Sequence, residues 1–360
     1  MRAAVVWEAG GPFEVRDDVE RRDPTEHEVV VRIRAAGLCQ TDLSLAGGAF
    51  GQPMPVVLGH EGAGEILALG SAVTGMSVGD RVLVNWVPSC GRCYTCVRGQ
   101  THICRTRRRA SEQGLSRDLV AGGREITVGM GTATFAEEAI LPANGVVPLP
   151  DDVPFTVAAL MGCALPTGIG AATRAADVQP GDTVVVVGCG PVGLSAIQGA
   201  RIAGAATILA VDPTSARRNA ASRLGATHTA TPEEFTAGGF PDDLDAGGFD
   251  IGIDAVGRAA TIRTTWNRVR RGGSVVVVGA AADGDVPFTA QELFHEEKVI
   301  RGSFFGSGDQ RREVPRMSDL WRRGLLHIEG MIEASVDLAE INDVAQRQRR
   351  GDIVRAVLTL

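Results

Sequence analysis

Hydrophobic and polar residues alternate along several short segments in the first part of the chain. Between Glu28 and Ala36, aliphatic side chains alternate with arginines, and this period of two predicts a strand with one buried face. Similar patterns predict strands at Glu61–Leu69, Arg81–Val84 and Glu137–Leu141. Glycines and prolines separate these segments. The chain up to about residue 160 is therefore predicted to be rich in short strands.

The pattern changes after about residue 165, where predicted strands and helices alternate. Val184–Val187 is a continuous β-branched run, as expected of a strand buried on both faces. A helix at Pro191–Ala203, a strand at Ile208–Val211 and a helix at Ser215–Leu224 follow. The remaining predicted elements are a strand at Phe249–Ala255, a helix at Ala259–Arg270, a strand at Ser274–Val278 and a last strand at Ile353–Leu360. This β-α-β-α order predicts an α/β domain with a doubly wound parallel sheet.

Length and composition fit a globular protein of about two domains. The chain has 360 residues, of which 44% are hydrophobic and 22% are charged. Its formal net charge of -7 provides no electrostatic reason to bind nucleic acid or an anionic membrane. No apolar run approaches the roughly 18–20 residues that span a bilayer, and no signal peptide is visible. We expect a cytoplasmic protein without nucleic-acid or membrane partners.

Two rare residue types exclude whole classes of chemistry. Lys298 is the only lysine, which argues against Schiff-base catalysis and against a phosphate-binding P-loop. Tyr94 is the only tyrosine, and Arg98 follows it four residues later. The tyrosine–lysine pair of short-chain dehydrogenases therefore cannot be built from this chain.

A glycine pattern after the first buried strand of the α/β part predicts a dinucleotide site. Gly188, Gly190 and Gly193 form G-x-G-x-x-G between a strand and a helix, although this pattern alone also fits an ordinary turn of a βαβ unit. Asp212 ends the next strand, about 20 residues further on, where a carboxylate binds the adenosine ribose hydroxyls. This carboxylate would repel a 2′-phosphate, which favours NAD over NADP. Arg217 and the arginine after it leave some tolerance for NADP.

Four cysteines in one loop predict a closed metal site. Cys90, Cys93, Cys96 and Cys104 have the spacing C-x2-C-x2-C-x7-C. Four thiolates without an open position are typical of structural zinc. An iron–sulfur cluster is the competing interpretation because its motif begins with the same spacings, but the long final gap argues against it.

A second set of potential metal ligands is dispersed along the chain. Cys39, His60 and Cys163 form a one-histidine, two-cysteine set that would leave one position open, as in catalytic zinc sites. Each residue taken alone also fits an ordinary buried side chain. Glu61 follows the histidine, and Asp42 is placed to hold its second ring nitrogen.

These motifs together resemble the zinc-dependent medium-chain alcohol dehydrogenases from end to end. The matching segments are GLCQTD, GHEGAGEI, the four-cysteine loop, GCALPTGIGAA, VVGCGPVG, VDP, IDAVG, GSFFGS and DIVRAVLTL. The resemblance implies a catalytic domain at residues 1–164, completed by 303–360, whose N-terminal part is a GroES-like β-barrel. It also implies a Rossmann domain at residues 165–302, with the active site in the cleft between the two domains.

The resemblance also implies roles for individual residues. Two zinc ions per chain are expected: a catalytic ion on Cys39, His60 and Cys163, which Glu61 can approach during ligand exchange, and a structural ion in the four-cysteine loop. Thr41 matches the hydroxyl that contacts the substrate alcohol. Ser44 takes the position where some relatives carry a histidine that ends the proton relay. Arg355 matches an arginine on the cofactor pyrophosphate.

The implied reaction is reversible hydride transfer between an alcohol and NAD. By family position, Trp86, Met130, Ala280 and Phe304 line the substrate pocket. Their apolar side chains favour a hydrophobic primary alcohol, or the corresponding aldehyde or ketone in the reverse direction. The family resemblance also leads us to expect a homodimer or homotetramer.

Two alternatives remain at this point. A thiol–formaldehyde adduct is the first alternative substrate, because Arg105, Arg107, Arg108 and Arg109 follow the cysteine loop and Arg108 matches a carboxylate-binding arginine of some relatives. The same arginines also fit an ordinary solvated surface. A non-catalytic, nucleotide-binding zinc protein on the same fold is the alternative from another class.

Overall fold

The computed structural model describes residues 1–106, 116–238, 247–280 and 284–360. Two compact units are present. The first unit contains Met1–Cys163, Asp309–Arg323 and Ile332–Leu360, and the second contains Ala164–Gly308 and Gly324–Met331. The chain therefore passes between the units more than once in its last 60 residues or so.

Strands dominate the first part of the chain. They are β1 (Ala3–Val6), β2 (Phe13–Arg16), β3 (Glu20–Arg21), β4 (Glu28–Leu38), β5 (Val56–Val57), β6 (Glu61–Leu69), β7 (Arg81–Val84), β8 (Leu119–Ala121), β9 (Arg124–Val128), β10 (Glu138–Pro142) and β11 (Val146–Pro148). The later strands are β12 (Thr183–Val187), β13 (Thr207–Val211), β14 (His228–Ala230), β15 (Phe249–Asp254), β16 (Val269–Val277), β17 (Val299–Gly302), β18 (Ala334–Asp337) and β19 (Ala356–Thr359).

Helices occur in both units. The α-helices are α1 (Gln40–Ala46), α2 (Tyr94–Val97), α3 (Phe155–Leu160), α4 (Ala164–Gly170), α5 (Pro191–Ala203), α6 (Ser215–Leu224), α7 (Pro232–Ala237), α8 (Ala259–Arg268), α9 (Ala290–Glu296), α10 (Gln310–Arg322) and α11 (Ile341–Arg350). The bounds of β6, β7, α5 and α6 confirm those predicted from the sequence.

The first unit is built on two mainly antiparallel sheets. One has the order β2-β1-β5-β9-β8-β3, and the other has the order β11-β7-β6-β4-β19-β18, with β10 also pairing with β4. Val29, Val31 and Ile33 of β4 are buried in the core, whereas Arg32 is exposed. The predicted alternation of β4 is confirmed only in part, because Val30 is also buried and residues 35–38 are all buried. The last strand, β19, pairs antiparallel with β4 and so brings the C-terminal segment into this sheet.

The second unit contains the predicted parallel sheet. Its strand order is β14-β13-β12-β15-β16-β17, and every neighbouring pair is parallel. The valines of β12 are buried, as expected for a central strand with helices on both faces. β16 begins at Val269, before the predicted Ser274, because its pairing with β15 continues across an irregularity that includes Gly272 and Gly273. Within the described residues, no helix has the length and hydrophobicity needed to cross a membrane.

Candidate active site

The four-cysteine loop of the first unit gathers its sulfur atoms into one cluster. The sulfurs of Cys90, Cys93, Cys96 and Cys104 all lie within 4.8 Å of one another. The Cys93 and Cys96 sulfurs are 3.5 Å apart because the short helix α2 places these two residues on one turn. The Thr95 hydroxyl and the backbone N–H of Cys96 lower the pKa of Cys93 to about 5, which favours the thiolate that binds metal. The set fits a tetrahedral site of four sulfur ligands.

A second cluster forms from residues that lie far apart in the sequence. The ligand atoms of Cys39, His60, Glu61 and Cys163 all lie within 4.8 Å of one another. Cys39 precedes α1, and Cys163 lies between α3 and α4. His60 directly precedes β6, and Glu61 is its first residue. The first unit therefore brings the predicted one-histidine, two-cysteine set together beside a carboxylate.

Asp42 fixes the orientation of the His60 ring through a hydrogen bond. Asp42 Oδ1 lies 2.9 Å from Nδ1 of His60, and both side chains are fully buried. Burial lowers the pKa of His60, but Asp42 and Cys39 outweigh it, so the pKa is raised well above its usual value in the absence of a metal. Nε2 of His60 is buried and has no hydrogen-bond partner in the described part of the chain. A buried ring nitrogen without a partner is costly, and metal binding would satisfy it.

Glu61 forms a buried ion pair with Arg355. Both side chains are essentially inaccessible, and the Arg355 guanidinium also donates to the Leu38 carbonyl at 2.8 Å. Burial raises the pKa of Glu61 to about 7, while the charge of Arg355 acts in the opposite direction. A Cβ atom at Gly37 would lie 2.2 Å from the Glu61 carboxylate, so glycine leaves the space that this side chain needs. The contact of Arg355 with a cofactor pyrophosphate stays a prediction.

The two predicted hydroxyl residues lie on the helix that follows Cys39. Thr41 and Ser44 are both partly buried on α1. The Ser44 hydroxyl donates to the backbone carbonyl of Gln40 at 3.0 Å. Its proton is therefore engaged within its own helix, and its role at the end of a proton relay stays a prediction.

The four predicted pocket residues are divided between the units. In the first unit, the Trp86 ring lies edge-on to the His60 imidazole, with centroids 5.5 Å apart, and Met130 lies in a turn at Gly129–Gly131. In the second unit, Ala280 and Phe304 are both exposed. Trp86 is thus a predicted pocket residue whose ring contacts one of the metal-ligand side chains.

The arginines proposed to hold a charged adduct are only partly described. Arg105 is exposed, and its guanidinium carbon lies 5.0 Å from the centre of the Tyr94 ring. Arg107, Arg108 and Arg109 lie outside the described residues.

The glycine-rich turn of the second unit brings backbone close together at the start of α5. Gly188 has a φ of +92°, and a Cβ atom at Gly193 would lie 1.8 Å from the Gly188 carbonyl oxygen. A Cβ atom at Gly190 would face open space, at the residue that precedes α5. Backbone N–H groups at the start of this helix are therefore available to an anion.

Asp212 lies at the end of β13, beside this turn. Its carboxylate accepts hydrogen bonds from the backbone N–H groups of Cys189 at 2.9 Å and Thr214 at 2.8 Å. Arg217 lies 3.9 Å from the same carboxylate. Arg218 instead donates to the backbone carbonyl of Asp212 at 2.7 Å. One arginine of the predicted pair is thus already bound to the backbone.

The ion pair between Glu61 and Arg355 could not be predicted from the sequence. The two residues are almost 300 positions apart, and β19 brings them together by pairing with β4. A lone arginine in an apolar terminal segment was the only available signal.

Two family models match the chain. The model described as "Alcohol dehydrogenase GroES-like domain" matches residues 25–151, and the model described as "Zinc-binding dehydrogenase" matches residues 191–323. These matches confirm the predicted combination of a GroES-like domain with a Rossmann-type domain.

Curated relatives and solved structures match nearly the whole chain. The NDMA-dependent alcohol dehydrogenase of Amycolatopsis methanolica is 33% identical over 99% of this chain and 98% of the relative. The S-(hydroxymethyl)glutathione dehydrogenase of Candida maltosa is 35% identical over 100% of this chain and 97% of the relative. The crystal structure of benzyl alcohol dehydrogenase from Acinetobacter calcoaceticus is similar with a TM-score of 0.91 and 29% identity, covering 100% of this chain and 99% of that chain. The chain therefore belongs to the zinc-dependent medium-chain alcohol dehydrogenase family.

Proposed function

We propose that the protein is a zinc-dependent oxidoreductase that transfers a hydride between a hydrophobic primary alcohol and NAD, as a homodimer or homotetramer with two zinc ions per chain. The observation that carries the proposal is the cluster of Cys39, His60 and Cys163, in which Asp42 holds one ring nitrogen of the histidine. Three ligands leave one position open for a substrate oxygen, as catalytic zinc sites require. The four-cysteine loop would hold the structural zinc.

Cys39, His60 and Cys163 are called the three-ligand cluster below. Zinc bound there would act as a Lewis acid that lowers the pKa of a bound hydroxyl group. The surrounding residues have separate tasks in this proposal. Asp42 keeps the proton of His60 on Nδ1, so that Nε2 offers its lone pair. The ring of Trp86 supplies an apolar wall beside the imidazole. Thr41 would relay the proton of the alcohol: its hydroxyl oxygen accepts this proton while its own hydroxyl proton passes on toward solvent.

NAD supplies a nicotinamide ring that accepts or returns a hydride. In the second unit, the N–H groups at the start of α5 would hold its pyrophosphate, because Gly190 leaves that approach open. Asp212 would accept hydrogen bonds from the adenosine ribose through the lone pairs that Cys189 and Thr214 leave free. The same negative charge would disfavour the 2′-phosphate of NADP.

Asp212→Ser tests the cofactor assignment. We expect kcat/KM with NAD to fall about ten- to a hundred-fold, because a hydrogen bond to a charged group contributes about 1.5–3 kcal/mol. Use of NADP should improve because Arg217, 3.9 Å from the carboxylate, loses its anionic neighbour. Steady-state kinetics with both cofactors check this result. In Asp212→Ser/Arg217→Ser the gain with NADP should disappear, and a wild-type preference for NADP would contradict the role of Asp212.

A thiol–formaldehyde adduct is the second candidate substrate. The relative from Candida maltosa, whose name specifies such a substrate, is 35% identical to this chain. Such an adduct carries carboxylates that need a cationic partner, and Arg108 is the residue proposed for that contact. The apolar side chain of Trp86 beside His60 favours an uncharged substrate instead.

Arg108→Ala separates these two substrates. An apolar pocket discriminates by only about 1–3 kcal/mol per methylene, so we expect a graded preference for benzyl-type and medium-chain alcohols over ethanol. These activities should be nearly unchanged in Arg108→Ala. Arg98→Ala is the matched control, because Arg98 is an exposed arginine of the cysteine loop, ten residues before Arg108 in the sequence. A wild type that strongly prefers the adduct, and loses that preference in Arg108→Ala alone, would establish the second candidate.

A further inference from the structure

The backbone of Gly59, the residue before His60, is held on both of its peptide groups. The backbone N–H of Gly59 donates to Asp42 Oδ1 at 3.1 Å, and its carbonyl accepts a hydrogen bond from the Thr132 hydroxyl at 2.8 Å. The backbone N–H of Thr134 also donates to this carbonyl, at 3.0 Å. The Gly59 carbonyl belongs to the same planar peptide unit as the N–H of His60. Fixing the carbonyl therefore restricts the backbone from which the imidazole projects.

Gly59 lets the two segments approach each other closely. Its φ is +96°, and a Cβ atom there would lie 2.5 Å from the Thr134 hydroxyl and 2.7 Å from the backbone nitrogen of Phe135. The backbone N–H of Phe135 donates to the Leu58 carbonyl at 3.0 Å. Any side chain at position 59 would push the Thr132 segment away from the His60 segment.

The turn that carries Thr132 has an unfavourable backbone conformation. Met130 and Ala133, on either side of Thr132, have φ values of 53° and 48°, which non-glycine residues rarely adopt. Such conformations persist only where surrounding contacts enforce them, and they are common at functional sites. The backbone N–H groups of Thr132 and Ala133 both donate to the Gly129 carbonyl, at 3.1 and 3.2 Å. The constrained backbone of this turn therefore fixes the position of the Thr132 hydroxyl.

We propose that Thr132 is a positioning residue for His60. Its hydroxyl holds the backbone of this metal ligand through the Gly59 carbonyl, while Asp42 holds the ring. The inference rests on the proposed function, in which His60 binds zinc. Removing an outer hydrogen-bond partner of a metal ligand typically costs about 10–100-fold in metal affinity or activity. We expect about tenfold here, because Thr132 acts through the backbone and Asp42 remains in place.

The same turn supplies a matched control. Thr134 is fully buried, and its hydroxyl has no hydrogen-bond partner among the residues that the structure describes. Thr132→Val and Thr134→Val thus remove the same group from two buried threonines, and valine has nearly the shape of threonine. Only the first change breaks a side-chain hydrogen bond to the peptide of His60. Thr132→Ser keeps the hydroxyl and should restore wild-type behaviour.

The test measures zinc release from each purified full-length protein into excess 4-(2-pyridylazo)resorcinol. Cys163→Ser identifies which kinetic phase of zinc release belongs to the three-ligand cluster. The phase of the four-cysteine loop serves as an internal control, because general destabilisation of the protein would accelerate it too. We expect Thr132→Val to accelerate release from the three-ligand cluster about tenfold and to leave the other phase unchanged. Thr134→Val and Thr132→Ser should match the wild type. With cobalt in place of zinc, only Thr132→Val should shift the visible absorption bands.

Equal release rates from the wild type and Thr132→Val would overturn the proposal. Equal acceleration by Thr134→Val, or acceleration of both phases, would also overturn it, because general destabilisation would then explain the effect. If Thr132→Val does not fold, Thr132→Ala replaces it with the same expected result. If Cys163→Ser shows the same zinc-release phases as the wild type, the three-ligand cluster holds no zinc. That result would contradict the proposed function itself, and the role of Thr132 with it.

Discussion

Replacing Cys163 with serine is expected to remove one of the two zinc ions and to lower kcat/KM for alcohol oxidation at least about a thousand-fold. Serine offers a protonated hydroxyl where the site needs a thiolate, which is a preferred zinc ligand. Lewis-acid catalysis contributes several kcal/mol to the transition state, and about 1.4 kcal/mol corresponds to a factor of ten. Elemental analysis and steady-state kinetics on the same preparation check both parts of the prediction.

Cys189→Ser is the matched control for zinc content. Cys189 is a fully buried cysteine in the second unit, outside both clusters, so this change should leave two zinc ions per chain. An unchanged circular dichroism spectrum of Cys163→Ser would show that folding is largely intact. A Cys163→Ser protein with two zinc ions and wild-type turnover would contradict the assignment of the three-ligand cluster.

Replacing Cys96 with serine is expected to remove the other zinc ion and to unfold the cysteine loop locally. Structural zinc contributes about 10–16 kcal/mol to the folding of small zinc-binding peptides, so the loop should depend strongly on its metal. Arg92, Arg98 and Arg105 lie in or next to this loop and are exposed. Trypsin should therefore cleave Cys96→Ser in this region much faster than it cleaves the wild type.

The three-ligand cluster should keep its zinc in Cys96→Ser. Its ligands Cys39, His60 and Cys163 lie on other elements of the first unit. Cys96→Ser and Cys163→Ser should thus each lose a different zinc ion. Only Cys163→Ser should lose turnover as a direct result. Iron and sulfide in the wild-type loop would contradict the structural-zinc interpretation, as would unchanged zinc content and trypsin resistance in Cys96→Ser.

Periodic elements of four or more residues could be predicted from the sequence, whereas strands of two residues could not. The bounds of β6 and α5 agree with the pattern of their hydrophobic residues. β3 and β5 have only two residues each, too few to show any period, and their pairing depends on neighbouring strands. No hydrophobic pattern distinguishes Gly324–Met331, although this segment belongs to the second unit while the residues on both sides belong to the first.

The metal clusters differ in how far the sequence could predict them. Cys90, Cys93 and Cys96 are close in the chain, so spacing alone indicated a common site. The grouping of Cys39 with Cys163 depended on recognising a ligand set and a family pattern, because the intervening chain has to fold before the two residues meet. The hydrogen bond from Thr132 to Gly59 had no sequence signal, since it depends on the conformation of one turn.

The most direct test of the account is NADH formation from benzyl alcohol by the purified protein before and after zinc removal. The proposal predicts an alcohol-dependent rise in NADH absorbance, its loss when a chelator has removed the zinc of the three-ligand cluster, and its return when zinc is added back. Alcohol-dependent NADH formation that continues unchanged in protein shown to be free of zinc would contradict the account. The absence of NADH formation from the zinc-loaded protein with benzyl alcohol, medium-chain alcohols and ethanol alike would contradict it as well.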